Sequence, residues 1–174
     1  MSSQPSTGTG ELSAAERAFY SRQLILPEMG YEAQLALKRA RVVVLGAGGL
    51  GAPALLYLAG AGVGQIVVVD DDVVDASNLH RQVIHTHARV GNSKAESAAE
   101  SLRSLNPFIE VVPVCERLTE VNVDELLSGA DLVLDGSDNF ESRYVVSAAA
   151  ARAGIAHVWA AILGFDAQLS VFWA

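Results

Sequence analysis

The sequence is short of cysteine, of basic residues and of any targeting segment, and each shortage closes off a class of protein. Cys115 is the one cysteine among 174 residues, so an internal disulfide is excluded. Lysine and arginine number 12 against 20 acids, a formal net charge of −8 at pH 7. That balance argues against broad binding to nucleic acid or to an anionic membrane surface, and leaves room only for a local basic pocket. Charged residues are 18% of the chain and hydrophobic ones 51%, the composition of a globular body. No apolar signal segment opens the chain and no stop-transfer run follows, so the expectation is a soluble, cytoplasmic protein. Residues 1–10, rich in Ser, Thr and Gly, have nothing to bury and are expected to form a disordered tail. The remainder, 11–174, fits one domain.

What the chain does have is an apolar strand running straight into a glycine-rich turn. Val42 to Leu45 contain no polar residue, as expected of a strand buried on both faces of a parallel sheet. Gly46, Gly48 and Gly51 then fill the G-x-G-x-x-G template: a tight turn, a close approach to phosphate, and packing of a helix against the strand. The helix that follows, from about Gly49 to Ala61, points its positive end at whatever lies above the strand, so an anion is favoured there. A second strand, Ile66 to Val69, closes with Asp70, where an acid can bond a ribose hydroxyl. The stretch Val42 to Val69 carries no charge, but Pro53 and the glycines at 60, 62 and 64 argue against one membrane-spanning helix. Strand, helix and strand account for it fully, and the fold class is α/β: a Rossmann-like, doubly wound, mostly parallel sheet with helices on both faces.

Upstream, Ser13 and Glu16 form a capping box, predicting a helix to about Gln23 that carries Arg22. From the residues alone, Arg22 reads as a solvated helix position. A second short helix follows Gly30, with Tyr31, Leu35 and Leu37 as its apolar contacts. Downstream of Asp70 come Asp71, Asp72 and Asp75, a concentration of charge that is costly near a phosphate site unless cations or a metal offset it. Arg81 and Lys94 are the cations at hand. Lys94 starts a helix predicted from Ser93 to about Ser104, where its charge opposes the helix dipole; that misfit suits a functional lysine, and an exposed lysine is the plain alternative. His80, His85 and His87 lack the spacing of a metal set, and Cys115 reads as an ordinary small side chain. Strands are predicted at Ile109 to Val114, Leu132 to Asp135 and Ala156 to Ala161, followed by an alternating segment, Ala167 to Trp173. A short helix is expected at Val123 to Leu127. The turn Gly136-Ser137-Asp138-Asn139 opens at a strand's carboxyl end, the usual ligand position in such sheets. Asn139 caps the next helix there, and Asp138 is placed for a metal.

Six elements in order, Tyr20-x-Arg22-Gln23, the turn Gly46 to Gly51, Asp70, Ser77-Asn78-Leu79-x-Arg81-Gln82, Lys94 and Asp135-x-x-Asp138-Asn139, resemble the MoeB/ThiF family of sulfur-carrier adenylyltransferases, prokaryotic relatives of the ubiquitin-activating enzymes. The resemblance runs from about residue 11 to 174. It implies ATP- and Mg²⁺-dependent adenylylation of the C-terminal glycine of a ubiquitin-like sulfur carrier protein, with release of pyrophosphate, in molybdopterin- or thiamine-type sulfur transfer. It implies that Gly46, Gly48, Gly49 and Gly51 cradle the nucleotide and that Asp70 holds the ribose. Ser77, Asn78, Leu79, His80 and Arg81 would line the ATP site, with Asn78 and Arg81 facing the phosphates. Lys94 would neutralise phosphate, Asp138 would bind Mg²⁺, and Asn139 would adjoin it. Arg22 would enter the neighbouring subunit's site, making a homodimer part of the mechanism. Members continue beyond this point with paired C-x-x-C zinc ligands, so the resemblance also implies a domain incomplete at its C-terminus and no zinc in this chain. Two other readings stand beside it. An NAD-linked oxidoreductase would use the same glycine turn but leaves Arg22, Arg81, Lys94 and Asp138 unexplained as a set. A non-catalytic module would bind nucleotide or carrier without turnover.

Overall fold

The computed structural model describes residues 10–137 and 139–173. The expected tail therefore lies, apart from Gly10, outside the described residues, and so does Asp138.

The capping box forms as expected: Ser13 Oγ accepts from the Glu16 N–H while the Glu16 carboxylate accepts from the Ser13 N–H. The helix it starts is shorter than the sequence suggests. It divides at Tyr20 into α1 (Ala14–Phe19) and α2 (Ser21–Leu24). Tyr20 sits at the break, 3% exposed, and its hydroxyl accepts from the Asn106 side-chain amide at 2.8 Å. A partner 86 residues away turns this ring into the core, and no local pattern announces it. Helix α3 (Gly30–Arg39) buries Leu35 and leads into β1 (Arg41–Leu45).

From there the winding is regular: α4 (Gly51–Ala61), β2 (Gln65–Val69), α5 (Lys94–Leu105), β3 (Glu110–Val114), α6 (Val123–Leu127), β4 (Leu132–Asp135), α7 (Phe140–Ala153), β5 (Ala156–Leu163) and β6 (Asp166–Phe172). The six strands form one sheet in the order β3-β2-β1-β4-β5-β6, all parallel except β6, which returns antiparallel on β5. Alternation along each strand sends side chains to two cores. Val42 and Val44 of β1 with Ile66 and Val68 of β2 pack under α4 and α5. Val43, Leu45, Val67, Val69 and Val133 pack under α6 and α7. Burial on both faces is why these strands read as unbroken apolar runs. The order reverses between β1 and β4, and the crevice above their carboxyl ends is where an open sheet of this kind takes its ligand.

Candidate nucleotide site

The glycine turn is held in shape by its own missing side chains. Gly46 has φ +84°, and a Cβ there would meet the Gly136 carbonyl oxygen at 3.2 Å. A Cβ on Gly51 would run into the carbonyl oxygen of Gly46. The first glycine thus admits the β4 turn and the third lets α4 start directly above the strand, which brings the positive end of the helix to the crevice. Two side chains buttress the turn. Asp70, at the end of β2, accepts from the Ala47 N–H at 2.7 Å and from the Asp72 N–H at 2.9 Å. His85 places Nε2 3.0 Å from the Ala47 carbonyl and Nδ1 2.9 Å from Ser97 Oγ. A carbonyl only accepts, so Nε2 carries the proton and Nδ1 accepts the serine hydroxyl.

Around this turn lies a cleft of about 490 Å³. Gly46, Gly48, Gly49, Asp70, Arg81, Lys94 and Asn139 line it, so the structure gathers these residues, spread over more than half the chain, at one place. Lys94 is not the exposed lysine of the plain alternative. It is 6% exposed, and its ammonium sits 2.8 Å from Asp72 Oδ2. Arg81 lies against the turn, its Cδ 3.5 Å from where a Cβ on Gly49 would be. Among the described residues no carboxylate pairs with Arg81.

The concentration of acids resolves into separate pairings. Asp71 pairs with Arg117 at 3.1 Å and Asp72 with Lys94. Asp70 is satisfied by backbone N–H groups, and its pKa is raised, because burial outweighs them. Asp75 caps the 3₁₀ turn Ala76–Asn78, and its pKa is lowered by the Ser77 hydrogen bonds. Burial holds the His85 imidazole below its ordinary value, against the Ala47 hydrogen bond and the Asp70 charge.

A sequence profile of the ThiF family matches residues 20–174, most of the chain. The chain belongs to the ThiF family. Among curated ThiF relatives it is 56% identical to the probable adenylyltransferase/sulfurtransferase MoeZ of Mycobacterium tuberculosis, over 93% of this chain and 41% of the relative. It is 52% identical to the sulfur carrier protein adenylyltransferase of Thermus thermophilus, over 88% of this chain and 56% of the relative. The chain thus spans about half the length of these relatives. Among solved structures it resembles the E. coli tRNA N6-threonylcarbamoyladenosine dehydratase TcdA in complex with ATP, at TM-score 0.80 and 32% identity, over 84% of this chain and 60% of that one.

Within this ThiF chain some expected site residues stay away from the cleft. Of Ser77, Asn78, Leu79, His80 and Arg81, only Arg81 lines it. The others form the 3₁₀ turn and its exit, with Ser77 and His80 exposed, and the Arg81 N–H bonds the Asn78 carbonyl. Gly51 packs beneath the turn instead of facing the opening. Arg22 is exposed on α2, outside the cleft lining. Conversely, the cleft includes Gln82, Glu116, Arg117, Ser137 and Arg143, which were not singled out as site residues. Gln82 lay inside the quoted motif and was available to the sequence. Arg117 and Arg143 sit in a loop and a helix whose local patterns are unremarked, and only the sheet order brings them over β1.

Proposed function

We propose that the cleft binds ATP and that the chain supplies the adenylylating site of a sulfur-carrier adenylyltransferase. The carboxylate of the C-terminal glycine of a ubiquitin-like sulfur carrier protein attacks the α-phosphorus of ATP. The bond to the β-phosphate breaks, pyrophosphate leaves with the electron pair, and an acyl-adenylate remains. The observation that carries this reading is the convergence of the glycine turn, Arg81, a buried Lys94 and the Asn139 cap in one crevice at the strand-order reversal. The names of the relatives and the ATP complex of TcdA support it.

The reaction needs little from the protein except charge. A carboxylate is ionised at neutral pH, so its attack requires no general base. What opposes it is the repulsion between that anion and the triphosphate, which fixed cations relieve. Arg81 and Lys94 face the phosphates in this reading, and Gly46, Gly48 and Gly49 let backbone N–H groups approach them. Asp70 holds the ribose with the lone pairs its backbone partners leave free. Mg²⁺ would be held by Asp138, outside the described residues, and would neutralise phosphate charge. Among the described residues no three acids, histidines or cysteines converge to hold a metal unaided. A Mg²⁺ site built from one carboxylate and nucleotide oxygens fits that donor set. Arg22 acts in trans, in a homodimer, in this reading, and its exposed position on α2, outside the cleft lining, is compatible with that role. Among the described residues no helix is long and apolar enough to cross a membrane; we place the protein in the cytoplasm.

Calorimetric titration with ATP and with NAD, each with and without Mg²⁺, tests the reading. ATP binding that Mg²⁺ strengthens, followed by carrier-dependent pyrophosphate exchange, is expected. Preference for NAD with no response to Mg²⁺ would return the chain to the dinucleotide-binding oxidoreductases, and ATP binding without exchange on any carrier would make it a non-catalytic module.

A further inference from the structure

Beneath the turn that carries Ser137 and Asn139 lies a buried pair that the reaction above does not use. Asp135 ends β4 with 0% exposure, and its Oδ1 accepts from the Ser137 N–H at 2.9 Å. The other oxygen, Oδ2, is buried without a hydrogen bond among the described residues. His157 of β5, 2% exposed, brings Nε2 to 3.5 Å from that oxygen. Neither ring nitrogen of His157 has a hydrogen-bond partner among the described residues. The strand register accounts for the meeting. Asp135 pairs with Trp159 and Val133 with His157, so His157 lies on the diagonal from Asp135 on the same face of the sheet.

A carboxylate removed from water is costly unless it is hydrogen-bonded or paired, and an imidazole with both nitrogens buried carries a cost of its own. Bringing Nε2 to Oδ2 answers the unpartnered oxygen of one group and one of the two nitrogens of the other. The pair also sits where it matters, because Asp135 is one of three ties on the turn above it. The Ser137 carbonyl accepts from Arg143 Nη2 at 2.8 Å, and the Arg143 guanidinium lies over the Trp159 ring, 5.1 Å from its centroid. The Gly136 N–H bonds the Leu45 carbonyl at 3.0 Å. Around the pair, α7 contributes the charge of Arg143, while β1 contributes Leu45 and β6 contributes Phe172, whose ring centroid is 5.9 Å from that of His157.

We infer that His157 is a positioning residue for the nucleotide: its Nε2–H holds Oδ2 of Asp135, Asp135 holds the Ser137 N–H, and the turn bearing Ser137 and Asn139 is thereby set against the glycine turn. The inference rests on the cleft being a nucleotide site. The test has two arms that separate the failure of one from the failure of the other. In the first, ring ¹⁵N–¹H correlation spectra of the unaltered chain report which His157 nitrogen is protonated. A proton on Nε2, coupled to Asp135 and lost or shifted in Asp135→Asn, supports the pairing whether or not nucleotide binds. A bare Nε2 facing the carboxylate at neutral pH overturns it. In the second, ATP is titrated into the unaltered chain and into His157→Phe, His157→Gln, Asp135→Asn and Asp135→Asn/His157→Phe. His157→Phe should weaken ATP about tenfold, a coupling of ordinary size for neighbouring polar groups. His157→Gln, which restores a donor, should recover most of that loss, and the phenylalanine should cost nothing further once Asp135 is asparagine. Unchanged ATP affinity in His157→Phe, or a loss of equal size in the Asp135→Asn background, refutes the role. If the unaltered chain binds no ATP, the nucleotide reading itself has failed.

Discussion

Lys94→Met separates a binding role from a structural one more sharply than any other change in the cleft. Methionine keeps a stem of similar length in the pocket that makes Lys94 only 6% exposed, so packing is largely preserved and the ammonium alone is removed. The partner left behind is Asp72, whose side chain is 68% exposed. Water can take the place of the lysine at such a group, and the pair contributes at most about 1 kcal/mol to folding. In a chain of this size a loss of about 1 kcal/mol lowers Tm by roughly 2–4 °C. Against ATP the same ammonium has no substitute: it is fixed before the ligand arrives and water is restricted around it. Losing one such preorganised charge costs on the order of 3 kcal/mol, which is about a hundredfold in affinity or rate. Calorimetry and thermal melts on one preparation read both numbers. A variant that melts many degrees lower while binding ATP within twofold of the unaltered chain would show Lys94 to be a structural ion pair and refute the reasoning. Asp72→Asn supplies the opposite sign, since releasing Lys94 from its carboxylate should tighten ATP or leave it unchanged.

Gly51→Ala forces a Cβ into the Gly46 carbonyl, so it should destabilise the fold by about 1–3 kcal/mol in urea titrations and weaken ATP as well, because α4 must move off the turn. His85 is held neutral by burial, so its folded pKa lies below the unfolded value of about 6.5. As pH falls through about 6.5 the unfolded chain gains a proton that the folded one resists, and stability should drop until the folded pKa is passed. Urea midpoints between pH 7.5 and 5 should show that slope, and His85→Gln should flatten it. Arg22→Ala should leave the ATP affinity of the monomeric chain unchanged while lowering carrier-dependent pyrophosphate exchange by the dimer, and addition of a subunit that has Arg22 but lacks Lys94 should restore part of the exchange.

Much of the fold was legible because its signals are local. The apolar runs of β1 and β2 advertise burial on both faces, and β4 and α6 occur at the predicted residues. Ser13, Ser93 and Asn139 cap helices where their hydroxyl or amide oxygen can reach an N–H three residues on. The glycine turn marked the ligand end of the sheet, since only glycine admits the close approaches at 46 and 51. What the sequence alone determined, then, is the class of sheet, the place of its turn and a short roster of charged residues.

Tertiary structure decided which of those residues meet. The burial of Lys94 against Asp72, 22 residues apart, separates a built cation from a surface lysine. His85, set aside as a poor metal ligand, supports Ala47 from 38 residues away. Arg117 and Arg143 reach the cleft because β3 and β4 flank the β2–β1 pair, and Arg22 is not among the residues that line it. The physical reason is common to all of them. Hydrogen-bonded turns and hydrophobic periodicity act over a few residues and leave their trace in order along the chain. Charge and hydrogen-bond partners act through space, at distances of about 3 Å, between positions that only the order of strands brings together.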